Sequence, residues 1–413
     1  MKNFLFSSGF FVWVMFLLPT ESSAQWTQTN WPDSLLDTYI CAFAVDSTNL
    51  FAGTMWNGVF LSTDNGASWT AANSGLTEKY FSSFAISGTK LFAGTNSGVF
   101  LSTNSGTSWT TVNSGLTNTY VRALVVSGTN LFAGTIYGGV FRSTNNGSSW
   151  TAVDSGLTYL NKLIYSLAIS ATNLIAGTSS GDVLLSNNNG NYWTVVDSGL
   201  TSNKEIYALL VSGTNLFAGT ADKGVFLSTN NGTSWTAANA GMENIMVNSL
   251  AVSDTNLFAG TPTLGVFLST NNGLSWKSFN TGLTNLYVAS LCVSGNYLFA
   301  GTYRNGVWRR PLSETTFVEQ KSNELPINYD LSQNYPNPFN PTTTFRFSLP
   351  SRSLVSLKIF DLLGREVTTI ISEEMSAGSY SRQWNAANIS SGIYFYRLQA
   401  GSFVGTKKLI LLR

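Results

Sequence analysis

The sequence has no histidine, two cysteines, nine prolines and few charges; charged residues make up 10% of its 413 positions. Without histidine there is no Ser-His or Cys-His nucleophile pair and no imidazole metal ligand. No metal or other cofactor is expected. Lys and Arg number 22 against 21 Asp and Glu, a net charge of +1, so nothing draws the chain to nucleic acid or to an anionic membrane. After residue 24 no apolar run approaches the ~20 residues that span a bilayer, so no transmembrane segment is expected in the mature chain.

Residues 1–24 read as a signal peptide. Lys2 gives the positive start, residues 4–18 the apolar stretch, and Ser22-Ser23-Ala24 the small-residue cleavage site. Ser7, Ser8 and Gly9 interrupt the stretch, which is too short for an anchor. No cysteine directly follows the cut, so a lipid anchor is not expected.

What is abundant is repetition. A tryptophan followed by Thr or Lys recurs at Trp26, Trp69, Trp109, Trp150, Trp193, Trp235 and Trp276, at intervals of 40 to 43 residues. An Ala-Gly-Thr triplet also occurs seven times, beginning at Ala52, Ala93, Ala133, Ala176, Ala218, Ala259 and Ala300. A period near 41 with several short β-rich segments per unit predicts the blades of a seven-bladed β-propeller over residues 25–312. In one unit, residues 81–87, 91–95, 98–103 and 108–113 read as strands a to d, separated by Gly, Ser, Thr and Asn turns. No unit sustains a 3.6-residue apolar rhythm, so helical hairpins of similar period are excluded. The chain opens on a d-type strand, 25–30, and its last unit stops at a c-type strand, 306–312. The first strand is therefore expected to complete the last blade, which removes an exposed sheet edge.

The turn between strands c and d reads Ser62-Thr63-Asp64-Asn65-Gly66-Ala67-Ser68-Trp69, and recurs five times with Asn104, Asn145, Asn188, Asn230 and Asn271 in the Asp64 place. This resembles the Asp-box (BNR) repeat of sialidase-like propellers. The resemblance implies structural turns away from a catalytic face, in keeping with Asx side chains that close turns and a glycine at positive φ. Asparagine for aspartate argues against calcium there.

A polar stretch opens a linker over residues 313–333, and the composition then changes. The segment Asn334-Tyr335-Pro336-Asn337-Pro338-Phe339-Asn340-Pro341 is followed by strand-like runs at 345–349, 355–361, 380–384 and 393–398, which predict a small immunoglobulin-like β-sandwich. With Ile359-Phe360-Asp361-Leu362-Leu363-Gly364, Ser391-Gly392-Ile393-Tyr394-Phe395-Tyr396-Arg397-Leu398 and Lys407-Lys408-Leu409, residues 334–413 resemble the C-terminal sorting domain, type A, of the type IX secretion system. The resemblance implies the secretion machinery as a partner and an extracellular or outer-membrane-surface location.

Comparison of the repeats locates a candidate site. The a–b and c–d turns are monotonous, whereas the opposite face varies, carrying Trp56, Tyr137, Tyr303 and Arg304 in its b–c loops. Near the start of strand a, one position reads Cys41, Ser82, Arg122, Tyr165, Tyr207, Asn248 and Ala289 in successive units. Loops on a rigid scaffold vary without loss of packing, so this face is where a ligand is expected. The candidate binding residues are Trp56, Arg122, Tyr137, Tyr165, Tyr207, Tyr303 and Arg304. Tyr39, Tyr80, Tyr120 and Tyr287 repeat at one position and read as packing. Cys41 and Cys292 fall three residues apart in register, about 10 Å along a strand, too far for a disulfide, so two core thiols are expected.

Sialidase chemistry, by the same resemblance, needs three arginines and a Tyr–Glu pair. Only Arg122 and Arg304 of the propeller's five arginines map to the variable face, although Glu205 and Tyr207 lie close in sequence. A two-carboxylate glycosidase needs acids about 5–9.5 Å apart, and nothing singles out a pair among Asp33, Asp37, Glu78, Asp182, Glu205, Asp222 and Glu243. No catalytic residue is assigned. The expectation is a non-catalytic module for a glycan or surface protein, with a glycoside hydrolase or a purely structural surface protein as alternatives.

Overall fold

The computed structural model of the chain describes residues 25–35, 37–46, 49–201, 205–314, 328–334 and 337–412. The signal peptide expected over 1–24, most of the linker expected over 313–333, and Tyr335 and Pro336 lie outside the described residues. The chain divides into two compact units, Met1–Thr315 and Thr316–Arg413.

The first unit is built from seven four-stranded antiparallel sheets. In the second of these, Phe81–Ser87, Lys90–Thr95, Gly98–Ser102 and Thr110–Thr111 follow one another from inside to outside. The expected order of strands is thus observed, with the outer strand only two residues long. The second strands carry the Ala-Gly-Thr triplets, and their last five residues are buried in every sheet. A strand covered on both faces cannot alternate, so it reads as a continuous apolar run. Close packing explains the glycine in the triplet: a Cβ on Gly177 would lie 2.7 Å from a methyl of Ile206 in the next sheet.

Each repeated tryptophan joins two sheets. The indole N–H of Trp109 donates to the Ala72 carbonyl at 2.9 Å, that of Trp193 to Val153 at 2.8 Å and that of Trp276 to Ala238 at 2.8 Å. Trp150 and Trp235 make the same bond to Val112 and Val196. The rings are buried, so each junction combines apolar burial with a satisfied polar group. The Ser-Gly-Leu turn beside the junction needs its glycine. Gly75 has φ +81°, and a Cβ there would stand 2.3 Å from the Trp109 carbonyl oxygen.

The first and last sheets are joined in the same way. Thr27–Gln28 pairs antiparallel with Val307–Pro311 and supplies the outer strand of the seventh sheet. Trp26 then donates its indole N–H to Phe279 of the sixth sheet at 2.6 Å. In the first sheet the Trp69 indole finds the Thr29 hydroxyl at 3.0 Å instead of a backbone carbonyl. The seven inner strands contact one another in cyclic order, Ile40–Asp46 lying against both Phe81–Ser87 and Val288–Ser294.

The turns between third and fourth strands share one hydrogen-bond pattern. At Asp64, Oδ1 accepts the Ser68 N–H at 2.9 Å, Oδ2 accepts the Ser68 hydroxyl at 2.6 Å, and Gly66 N–H donates to the Ser62 hydroxyl at 2.8 Å. With asparagine the pattern survives: Asn104, Asn145, Asn230 and Asn271 accept the same N–H and donate Nδ2 to the serine at 2.9 Å. Asn188 accepts the Tyr192 N–H and the Ser186 hydroxyl, but Tyr192 stands in place of the serine that receives Nδ2 in the other turns.

In the second unit a three-stranded sheet, Asp330–Leu331, Thr342–Leu349 and Gly378–Asn385, shares one core with a four-stranded sheet ordered Glu366–Met375, Ser353–Phe360, Gly392–Ala400, Phe403–Leu411. Phe345, Leu357, Tyr396, Leu398 and Leu409 are fully buried in it. The strand-like runs read from the sequence do not include Glu366–Met375 and Phe403–Leu411, whose outward positions are mostly charged or polar. The Asn-Pro-rich segment covers the edge of the last strand. Asn337 accepts the Ile410 N–H at 2.8 Å and donates to the Lys408 carbonyl at 3.2 Å, and Phe339 exchanges backbone bonds with Ile410 and Leu412. Such a cover protects an edge strand from other chains.

Candidate functional site

A cavity of about 550 Å³ lies among the inner strands of all seven sheets of the first unit. Its wall is set by a repeated irregularity. The first two strands of six sheets slip register by one residue, between Ile40/Ala42, Phe81/Ser83, Val121/Ala123, Ile164/Ser166, Ile206/Ala208 and Val288/Ser290. The unpaired residues in these bulges are Cys41, Ser82, Arg122, Tyr165, Tyr207 and Ala289, and each lines the cavity. In the sixth sheet Asn248 takes this place just before the strand Ser249–Ser253. A bulge leaves its residue free of the ladder and re-aims the side chain, so this variable position of the inner strands is turned toward the cavity.

Arg122, Tyr165 and Tyr207 converge there. The guanidinium lies over the Tyr165 ring, 5.5 Å from its centroid, and Tyr165 meets Tyr207 edge to face at 5.4 Å. Burial raises both tyrosine pKa values and Arg122 opposes the rise. Glu205 acts on both hydroxyls without lining the cavity. Across from them Tyr39, Tyr287 and Tyr303 form a cluster, with ring centroids 5.4 to 5.7 Å apart. Burial, then a hydrogen bond to Tyr287, pushes the Tyr39 hydroxyl well above its ordinary range.

The remaining candidates lie elsewhere. Trp56 and Tyr137 are 52% and 59% exposed and do not line the cavity. Tyr303 reaches it only through Tyr39 and Tyr287, and Arg304 is exposed, paired with Asp37 at 2.6 Å. Tyr39 and Tyr287, read from the sequence as packing, do line the cavity, as do Met55 and Met246. The two rings pack against each other and border the cavity at the same time.

No carboxylate lines the cavity among the described residues. Glu78 accepts the Lys79 and Tyr80 N–H groups, Asp182 faces Asp197, the Gly241 N–H reaches Glu243 at 3.1 Å, and Asp33 opens a short 3-10 turn. Arg142 and Arg309 donate to backbone carbonyls of adjacent sheets, and Arg310 stacks on Phe279 at 3.6 Å, so no three-arginine clamp assembles. Cys41 and Cys292 are both free thiols, each pushed up to about 12 by burial. Among the described residues, no helix is long and apolar enough to cross a membrane and no cluster of three or more Cys, Asp or Glu could hold a metal ion.

Residues 333–412 match the secretion system C-terminal sorting domain family. No curated protein matches the chain. Among solved structures, it is similar to PorZ, a surface component of the type IX secretion system of Porphyromonas gingivalis, at 16% identity and TM-score 0.52, covering 90% of this chain and 59% of PorZ. The extracellular domain of the two-component system BT4673 from B. thetaiotaomicron aligns at 18% identity and TM-score 0.59, covering 79% of this chain and 45% of that one. YCF48 from Cyanidioschyzon merolae aligns at 16% identity and TM-score 0.54, covering 70% and 98%. The chain spans less than two thirds of the first two proteins. At these identities the likeness is one of fold, which is all-β and propeller-like. The sorting domain marks the chain for export by type IX secretion to the cell surface or outside.

Proposed function

We propose that the exported chain is a non-catalytic binding protein. In this reading the first unit is a seven-bladed propeller with Asp-box turns, closed by its N-terminal strand, and the second is an immunoglobulin-like sorting module. The ligand, a glycan or a surface protein, meets the variable wall of the central cavity. One observation carries this reading: bulges in six sheets turn the residue that differs between repeats into the same cavity. Bulges of this kind concentrate beside functional sites. A recessed cavity holding aromatic faces and a few polar groups suits ligand binding, and the lack of lining carboxylates among the described residues weighs against glycoside hydrolysis.

The test is a glycan-array and pull-down comparison of the wild type with an Arg122→Ala/Tyr165→Ala/Tyr207→Ala variant. Binding lost in the variant supports the proposal. Equal binding by both proteins removes the cavity as the site, and a reducing-sugar assay that releases product would replace the binder with an enzyme.

A further inference from the structure

Among the described residues Arg122 is the one charged side chain that lines the cavity, and no carboxylate is paired with it. Other propeller cations serve the fold: Lys162 pairs with Asp154, Arg304 with Asp37, and Arg142 and Arg309 bind carbonyls between sheets. A half-buried guanidinium without a counter-ion has a planar fork of donors to offer an anion. Tyr165 and Tyr207 stand edge to face beside it and make an aromatic corner, and Ser82 and Asn248 add polar groups to the wall. The volume falls in the range of small-ligand sites and is recessed among the strands. A compact ring with a carboxylate suits both the guanidinium and the tyrosine faces.

We infer that the cavity binds an acidic saccharide, its carboxylate held by Arg122 and its ring against Tyr165 and Tyr207. This rests on the binding reading above and narrows its ligand to uronate-type sugars.

The experiment is calorimetric titration of the full chain with galacturonate and glucuronate oligomers, and with neutral galactose and glucose oligomers of equal length. Arg122→Gln and Arg122→Lys are compared with the wild type, with melting temperatures as the folding control. The wild type is expected to prefer the acidic oligomers by at least about tenfold, as a charge-assisted bond allows. The preference should shrink between roughly 0.05 and 0.5 M salt, vanish in Arg122→Gln, and partly return in Arg122→Lys. Equal binding of acidic and neutral oligomers overturns the inference and leaves the binding reading standing. So does Arg122-dependent binding of a peptide with a free C-terminal carboxylate in place of the sugars. Silence of every probe, with no partner in pull-down, removes the binding reading itself.

Discussion

Asp182 and Asp197 meet where four of the other sheets bring together a glycine and an asparagine. In those sheets the asparagine donates to a backbone carbonyl, as Asn73 does to Asn57 at 3.2 Å and Asn113 to Ser97 at 3.0 Å. Here two carboxyl groups share the site instead. Burial, then the charge of Asp182, raises the Asp197 pKa. A carboxyl raised on folding favours the fold below its unfolded value, near 4, and that contribution is lost as the pH climbs through the folded value. Asp197→Asn should therefore raise the melting temperature by about 1–4 °C at pH 7 and give no gain near pH 3.5, as read by calorimetry. Asp64 has the opposite sign. Burial raises its pKa, but bonds from the Ser68 hydroxyl and N–H, the Ser62 hydroxyl and the Ala67 N–H together outweigh this and hold it at about 2. Its contribution is full above about 4 and disappears as the pH falls through the folded value. Because five turns already use asparagine, Asp64→Asn should leave the neutral melting point within about 1 °C and gain on the wild type in acid. Cys41 and Cys292, held protonated, should resist iodoacetamide at pH 8 until the chain is unfolded.

At the scale of strands and turns, the sequence exposes whatever recurs once per sheet. The tryptophan spacing was legible because each indole fills one junction. Trp193→Phe would remove the donor to the buried Val153 carbonyl and part of the ring packing. The expected loss is about 2–4 kcal/mol, seen in denaturant unfolding as a lower midpoint. Conversely, the bulges could not be read from the sequence. A bulge is a mismatch between two strands, and neither strand carries a signature for it. Only the variability of the bulged residue showed at the sequence level, and this is why Arg122, Tyr165 and Tyr207 were found while Met55 and Met246 were not. Trp56 and Arg304 share the variable face, but their loops keep them out of the cavity. In the second unit Glu366–Met375 was missed because Glu366, Glu373 and Glu374 point to solvent and break the apolar alternation.

For the molecule as a whole, two expectations concern the ends. Removing residues 334–413 should leave the protein inside the outer membrane, measured by surface proteolysis and cell fractionation. Removing residues 25–31 should strip the outer strand from the seventh sheet and the partners of Trp69 and Phe279. The uncovered edge of Val307–Pro311 should then cause aggregation, visible in size-exclusion chromatography. The pairing of the first strand with the seventh sheet also sets a timetable. Thr27 bonds to Arg309, 282 residues further along, so this early strand must wait for nearly all of the first unit before it finds its place. Contacts this distant in sequence form slowly. Until they do, the growing chain has no closed body, and a chain without one is in a condition to be threaded through a membrane pore before it folds.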